Sequence, residues 1–396
     1  MKIKVGVIFG GKSVEHEVSI ISALQAINNM DDDKYEVVPI YIDKDRNWYT
    51  GMELLNIDNF KNLDFLYKNI IPIVLCKRKN DFVLLKQKGL FKRVENKVDI
   101  AFPIVHGANV EDGSLVGYLE SIGIPYVGSG VLGSAIGQDK VVMKKLMQSE
   151  NLPVVDYVWF YDYEYVNDED LINNKIEKLG FPVIVKPARL GSSVGITVAH
   201  EANELKDCVE EVIKYDSKIV VEKVINNLVE INASVLGNSE YLVVSPLEEV
   251  MGIDEFLSYR DKYIGGKKGT KSKGMINTNR IIPARVEPKI ETEIKSLSEK
   301  VFRLFNLSGV VRIDFLFDKK NSKVYVNEPN IIPGSLSFYL WKECGKNYKT
   351  LLDDLITLAI KDYKNKRKKV SSFDTNILQN VNGLKGGKSM KGKLKM

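Results

Sequence analysis

Two carboxylates, an amide and a guanidinium fall close together near the C-terminal end, at spacings that bear on chemistry. In Val311-Arg312-Ile313-Asp314-Phe315 apolar and charged residues alternate. That is the period of a strand whose successive side chains point to opposite faces, so Arg312 and Asp314 share one face. A few residues on, Val324-Tyr325-Val326-Asn327-Glu328-Pro329-Asn330 reads as a second strand with Glu328 and Asn330 on one face at its end. Asp314, Glu328 and Asn330 offer only oxygen ligands, which suit a hard cation such as Mg²⁺ held between protein and phosphate oxygens. Charges on otherwise apolar strands need partners, which favours this reading over solvated surface carboxylates.

The elements that position these groups follow from the hydrophobic pattern. Lys4 to Phe9 is an apolar strand ending at Gly10 and Gly11, and Glu17 to Asn28 has the pattern of a helix. Val37 to Ile42, Val98 to Phe102 and Ile124 to Val127 read as further strands. Alternating strands and helices indicate a parallel sheet covered by helices, and this first unit spans residues 1–128. A helix over Gln138 to Glu150, a buried strand Pro182 to Lys186, a glycine-serine loop Gly191 to Gly195 and a strand Ile219 to Lys223 form a second unit, 129–222. A third unit, 223–362, holds strands at Ile231 to Leu236, Val310 to Phe317 and Lys323 to Glu328 and a helix around Glu291 to Phe305. The expected class is therefore α/β for the first unit and α+β for the other two.

Two glycine motifs invite a different reading. Gly6 to Ser13 satisfies G-x-x-x-x-G-K-[ST], whose backbone amides and lysine cradle phosphates. In that motif the first glycine lies in the loop after a strand, whereas Gly6 lies inside the apolar run. Gly128 to Gly133 fits G-x-G-x-x-G, but no strand-ending acid follows about 20 residues on, as a dinucleotide fold requires. Both are read as structural glycines.

With 396 residues, 44% of them apolar, the chain is long enough for two or three linked cores. Its apolar runs, such as Ile70 to Cys76 and Tyr241 to Val244, fall far short of the roughly 20 residues of a membrane span, and the start lacks the pattern of a secretory signal. The expected location is cytoplasmic. Three scattered cysteines, Cys76, Cys208 and Cys344, suggest neither a disulfide framework nor a zinc cluster, and buried, reduced thiols are expected. Residues 361–396 carry eleven Lys/Arg against Asp362 and Asp374, a net +9, which leaves −4 for the rest. This end is expected to be a disordered, solvated tail from residue 363, with nucleic-acid or membrane contact as the weaker alternative.

The ordered set of motifs resembles the D-alanine-D-alanine ligase family of ATP-grasp enzymes up to about residue 360. It comprises FGGKSVEHEVS at 9–19, HGANVEDG at 106–113, DK at 139–140, VKPARLGSSVG at 185–195, VEK at 221–223, DKY at 261–263, RIDF at 312–315 and NEPN with PG at 327–334. The resemblance implies a three-domain ATP-grasp fold with an N-terminal α/β domain. It implies that Lys140 and Lys186 hold ATP phosphates beneath a loop containing Ser192 and Ser193, whose small residues let backbone amides approach phosphate. By the same likeness Glu222, Lys223 and Ile225 line the adenine site, Glu230 takes the ribose, and Lys262 belongs to a lid over ATP. Asp314, Glu328 and Asn330 would bind two Mg²⁺, or Mn²⁺ in its place. Glu15 would hold the first amino acid's ammonium in a group with Ser192 and Tyr263. His106 would lie in the substrate pocket, and His16 is read as an ordinary neighbour. Arg312 and the Gly334 N–H would stabilise the oxyanion formed when an amine attacks an acyl phosphate.

The chain departs from the family after Asn330. Tyr339, followed by Leu340, stands where a serine usually holds the second substrate's carboxylate, and Phe338 and Trp341 reshape the surroundings. The lid, Tyr259 to Arg280, is long, glycine-bearing and strongly basic. The expected function is ATP-dependent joining of two D-alanines through an acyl phosphate for peptidoglycan precursor synthesis, by a homodimer. Joining D-alanine to another acceptor, or two other amino acids, is the alternative within the class. A nucleotide-dependent binding module with a basic tail is the alternative outside it.

Overall fold

The computed structural model describes residues 2–87, 93–251 and 280–372. Among them three sheets follow one another along the chain. The first contains β1 (Ile3–Gly10), β2 (Tyr35–Ile42), β3 (Trp48–Thr50), β4 (Ile71–Arg78), β5 (Asp81–Lys86), β6 (Val94–Val98) and β7 (Ile100–Pro103), in the order β6-β5-β4-β3-β2-β1-β7. The expected parallel part is β2-β1-β7, with the helix His16–Ile27 connecting β1 to β2. From β2 to β6 the strands run antiparallel, so the sheet is mixed. The cause is local: Asp43 Oδ1 accepts from the N–H groups of Asp45 and Asn47, both at 2.8 Å, which closes a turn too short for a crossover helix.

Two strand expectations need correction. Val98 to Phe102 is split at Asp99, whose N–H donates to the Lys4 carbonyl and whose carboxylate accepts from the Lys4 N–H, both at 2.8 Å. Ile124 to Val127 contributes only one bridge, between Tyr126 and Ala101.

The second sheet, β10-β9-β11-β8, is built from β8 (Tyr157–Tyr161), β9 (Val183–Pro187), β10 (Thr197–Ala199) and β11 (Lys218–Lys223). Val183, Val185, Ile219 and Val221 bury one face against Ile172, Ile176, Val209 and Val212 of the helices Glu169–Glu177 and Leu205–Ile213. The alternate residues Ile184, Lys186 and Glu222 border a cleft.

The third sheet comprises β12 (Leu228–Gly237), β13 (Leu242–Val244), β14 (Glu248–Val250), β15 (Arg280–Ile281), β16 (Gly309–Asp318) and β17 (Lys323–Asn330). Its order is β15-β14-β12-β16-β17, with β13 beside β12. Ile231, Ala233, Val311, Ile313 and Phe315 pack on Ile290, Ile294, Leu297 and Val301 of the helix Pro288–Leu304. Each of these Val, Ile, Leu and Phe side chains contributes about 1.5–3 kcal/mol when fully buried, which fixes the apolar face inward and turns the polar face to the cleft.

The last helix among the described residues, Tyr348–Lys366, is capped by Asn347, whose side chain accepts from the Thr350 N–H at 2.9 Å. It carries Leu351, Leu352, Leu355, Ile356 and Ala359 into the cluster of Val5, Phe9 and Ile100. This helix thus completes the first sheet's core. The helix also continues four residues past the expected boundary at 362, because its buried stripe reaches Ala359 with Ile360 packed beside it. Residues 373–396 lie outside the described residues. All three cysteines are free, but none is fully buried as expected: Cys76 and Cys208 are half-buried and Cys344 is exposed.

Candidate active site

One row of the third sheet builds the larger wall of the cleft. Glu248, Asn232, Asp314 and Glu328 are direct cross-strand partners on β14, β12, β16 and β17. Directly opposed residues share a face, so four polar groups line up over apolar packing. In the next row Arg312 lies opposite Asn330. The Arg312 guanidinium forks onto Asp314, with Nε to Oδ1 at 2.6 Å and Nη2 to Oδ2 at 2.8 Å, and Asn330 Nδ2 donates to Asp314 Oδ2 at 2.9 Å.

A bulge makes this possible. Asp314 pairs with Glu328 but Phe315 pairs with Val326, so Asn327 is one residue extra on β17. Without it, strict alternation would put Glu328 on the face of Val324 and Val326, which is core. The extra residue turns Glu328 to the cleft beside Asp314.

The opposite wall combines the second sheet with the helix Lys140–Ser149. Asp139 caps that helix by accepting from the Val141 and Val142 N–H groups, both at 3.0 Å. Lys140 and Lys144, four residues apart, share a helix face. Lys140 Nζ reaches across the cleft to Glu328 Oε2 at 2.8 Å and donates to the Leu190 carbonyl at 2.8 Å. Lys144 and Lys186 both hold Glu222, at 3.0 and 2.8 Å. Burial alone would raise the Glu222 pKa, but Lys144 and Lys186 outweigh it and hold it at about 2. Burial also acts against Lys140, where Glu328 prevails and the pKa rises, and against Lys144, where burial prevails and the pKa falls.

The loop between β9 and β10 brings a third segment in. Ser192 and Ser193 have φ of 54° and 57°, a tight left-handed pair, and Ser192 Oγ donates to Glu15 Oε1. A Cβ at Gly191 would meet Glu15 Oε2 at 3.1 Å, so the absence of a side chain there allows the approach. Glu15 is buried and donates its N–H to Ser13 Oγ at 2.9 Å, while Ser13 Oγ donates to the His106 carbonyl at 2.6 Å. Tyr263 and Lys262, with the lid except Arg280, lie outside the described residues.

His106 is buried with Nε2 3.2 Å from Ser22 Oγ, and burial holds its pKa down to about 4, against an opposing bond with the Ile332 backbone. It is therefore neutral. His16 is structural, as expected: its ring bonds the Gly11 carbonyl at 2.6 Å and Tyr41 Oη at 3.0 Å.

Gly334 lines the cavity, and Ser335, Leu336 and Ser337 then follow in left-handed conformation with φ of 51°, 54° and 49°. Tyr339 emerges from this coil into the cavity and donates its hydroxyl to Glu248 Oε2 at 3.0 Å. Leu340 is fully buried and lies off the cavity, because the helix that starts at Phe338 turns it into the interior. Lys223, Ile225 and Glu230 border the same cavity, Lys223 and Glu230 as exposed residues.

Glu15, His106, Lys140, Lys186, Glu222, Glu248, Arg312, Asp314, Glu328, Asn330, Gly334 and Tyr339 surround one cavity of about 970 Å³, and Lys144 stands behind it on Glu222. Glu111 is a wall residue the motifs contain but the spacing does not single out. Its carboxylate bridges two segments, accepting from the Gly107 and Ile332 N–H groups, both at 2.9 Å. Burial, aided by Glu15, raises its pKa to about 8. Lys144, four residues after Lys140, and the pair Asn232 and Glu248 are also new; their signal is a polar residue on a strand or helix face that is otherwise apolar.

Among the described residues no group of three or more His, Cys, Asp or Glu gathers as a metal centre. The chain supplies two carboxylates and an amide oxygen on facing strands, a donor set that fits a hard cation sharing its shell with phosphate. Neither glycine motif lines the cavity, and Ser13 of the first only braces Glu15 and His106. Gly6 lies inside β1 and Lys12 is exposed and off the cavity. Gly133 sits within the helix Val131–Gln138, where a Cβ would meet the Phe305 carbonyl at 2.9 Å, so it serves close packing.

Residues 4–129 match the family model described as D-ala D-ala ligase N-terminus, and residues 146–357 that described as D-ala D-ala ligase C-terminus. The D-alanine–D-alanine ligase of Thermosipho melanesiensis is 40% identical over 95% of this chain and 98% of its own. That of Caldicellulosiruptor bescii is 41% identical, over 93% and 97%. Among solved structures, the VanG D-Ala:D-Ser ligase from Enterococcus faecalis superposes with a TM-score of 0.75 at 31% identity, covering 91% of this chain and 100% of that one. A Bacillus anthracis D-alanine–D-alanine ligase complexed with ATP gives 0.65 at 27%, covering 92% and 99%. By motif order, fold and these likenesses, the chain belongs to the D-alanine–D-alanine ligase family, enzymes of the ATP-grasp fold.

Proposed function

We propose that this enzyme joins two D-alanines at the expense of ATP, through an acyl phosphate, in peptidoglycan precursor synthesis. One observation carries the reading: a single cavity has Lys140 and Lys186 on one wall, Asp314, Glu328 and Asn330 on the other, and Glu15, Arg312 and Gly334 at its end. The carboxylate of the first amino acid attacks the γ-phosphorus and ADP leaves. The amine of the second, having lost a proton, attacks the acyl carbonyl and phosphate leaves.

The residues divide the work. Lys140 and Lys186 exchange their carboxylate partners for phosphate oxygens, with the backbone at Ser192 and Ser193 above them. Glu222, Lys223 and Ile225 take adenine, and Glu230 the ribose. Glu15 receives the first ammonium, grouped with Ser192 and Tyr263, and Lys262 joins from the lid. Arg312 and the Gly334 N–H face the oxyanion, where one donor is worth about 2.7–4 kcal/mol of barrier. Mg²⁺ or Mn²⁺, two ions held by Asp314, Glu328 and Asn330, would supply positive charge to the transferring phosphoryl group. The neutral His106 lines the amino-acid end without adding charge.

Purified chain with ATP, Mg²⁺ and D-alanine is expected to release phosphate and form the dipeptide. Absence of phosphate release with every pair of D- or L-amino acids tested would sink this reading. A second reading, D-alanine joined to a different acceptor, is favoured by Tyr339 in the place of a serine. Product mass from a mixture of amino acids separates the two.

Dependence on ATP and free amino acids supports a cytoplasmic site of action, which cell fractionation tests. Among the described residues no helix is long and apolar enough to cross a membrane. Exposed apolar side chains at Met52, Ile57, Leu63 and Phe65 support a homodimer. A monomer by analytical ultracentrifugation would remove that part of the proposal.

A further inference from the structure

The replacement of serine by Tyr339 leaves a question of charge. The Tyr339 hydroxyl is committed to a carboxylate of the chain itself, Glu248, which is 3% exposed and also accepts from Asn232 Nδ2 at 3.1 Å. A hydroxyl has one proton to donate, so it cannot give the same bond to a substrate carboxylate without leaving Glu248 short of a partner. A cation is placed beside it instead. The Arg280 guanidinium lies 3.9 Å over the Tyr339 ring centroid, and its Nη1 is 3.3 Å from Glu248 Oε1. Arg280 enters from β15, opposite Val250, two residue pairs beyond the row that holds Glu248 and therefore on the same face.

Arg280, Tyr339, Glu248, Arg312 and Gly334 border the same cavity. The two guanidiniums there are set differently. Arg312 is held by a two-bonded fork on Asp314, which orients it toward the metal-side carboxylate. Arg280 is held by its face on an aromatic ring and by Glu248. A planar guanidinium with five donors can rest on a ring and still meet a carboxylate edge-on, which an ammonium cannot do.

We infer that Arg280, stacked on Tyr339 and oriented by Glu248, receives the α-carboxylate of the second amino acid and so sets which acceptor the enzyme uses. This rests on the ligase reading above. The bulk of Tyr339 fills the space a serine would leave, and the guanidinium supplies the donors that the serine hydroxyl no longer does, with a positive charge added. Tyr339 and Glu248 are positioning residues in this assignment; Arg280 touches the substrate.

The test is steady-state kinetics that separates the KM of the second amino acid from that of the first and of ATP. Arg280→Met is expected to raise the second KM roughly 10- to 100-fold, the scale of a lost charge-assisted hydrogen bond, with the KM for ATP within about twofold. Arg280→Lys keeps the charge but loses the planar fork, and is expected to fall between the two. If Arg280→Met does not fold, Arg280→Lys decides alone: a selectively raised second KM supports the assignment and an unchanged one overturns it. Tyr339→Phe keeps the stack and releases Glu248, and is expected to change the second KM less than Arg280→Lys. Unmodified chain that turns over normally, with variants whose second KM does not move or moves no more than that of ATP, overturns the role of Arg280 only. Unmodified chain that releases no phosphate with any amino acid overturns this role and the ligase reading together.

Discussion

The two walls of the cleft carry charge in opposite ways. On the smaller wall stand Lys140, Lys144 and Lys186 with one carboxylate, Glu222, which Lys144 and Lys186 hold. On the larger wall Arg312 and Arg280 answer Asp314 and Glu248, and Glu328 is left to reach across to Lys140. The first wall holds a surplus of positive charge inside a buried setting and the second a surplus of negative charge. A polyphosphate laid between them repels only the second, at the place where a hard cation fits the oxygen ligands. The comparison teaches that one wall is built to attract the nucleotide's charge and the other to hold geometry, with Arg312 fixed by a fork on Asp314 and Arg280 by the Tyr339 ring and Glu248.

The most severe way to break the contrast is to remove a lysine of the first wall. Lys186→Ala is expected to lower ATP turnover about a thousandfold, while Lys12→Ala, outside the cavity, leaves it unchanged; phosphate release checks both. On the second wall Arg312→Met is expected to lower kcat roughly 100- to 1000-fold with little change in the KM for ATP. A matching rise in that KM would assign Arg312 to nucleotide binding instead. Asp314→Asn is expected to raise the Mg²⁺ concentration for half-maximal rate about 10- to 100-fold, the range seen when a metal site loses one supporting interaction.

The buried pairs predict a difference in acid behaviour. The pKa of Glu222 is held in the fold at about 2, below its ordinary 4.5. Its contribution to stability is therefore present above pH 4.5 and is lost as pH falls from there toward 2. Glu222→Gln leaves Lys144 and Lys186 without their carboxylate, which costs about 3–5 kcal/mol at neutral pH, and shows a shallower loss across that window. Urea denaturation at several pH values measures both. The smallest effect is expected from truncation after Ser372: turnover stays within about twofold, since the Lys- and Gly-rich composition of 373–396 does not favour a packed element. Loss of turnover on truncation would favour the binding-module alternative.

Much of this was legible in the sequence where one periodicity governs one element. Arg312 and Asp314 share a face of β16 as the alternation requires, and Lys186 ends an apolar strand on the cleft side. Glu328 is different. Alternation alone along β17 assigns it to the core face, and only the extra residue Asn327 reverses this, a pairing feature that no single strand's pattern contains. Lys144 and Glu222 were equally hidden as a pair, since a buried lysine reads as a surface one until its carboxylate is seen 78 positions away beside it. The antiparallel half of the first sheet depended on the Asp43 turn, a short-range hydrogen-bond arrangement. Tyr339 was visible as a departure, but its partner Arg280 read only as one basic residue of a long loop.

The last helix has a consequence for how the chain is made. Leu351, Leu355 and Ala359 belong to the core that Val5 and Phe9 begin, so the first sheet to leave the ribosome is the last to be sealed. At roughly 5–20 residues per second, the interval between residues 128 and 359 is on the order of ten to fifty seconds. During that time an apolar face waits uncovered. A fragment ending near residue 128 is expected to bind hydrophobic dyes and aggregate, and to become soluble when the C-terminal helix is joined back to it; a fragment that is soluble and cooperative alone would show that the sheet needs no such closure. The strand at 3–10 and the helix at 348–366 behave as a clasp, and synthesis order lets the clasp close only once that helix has been made.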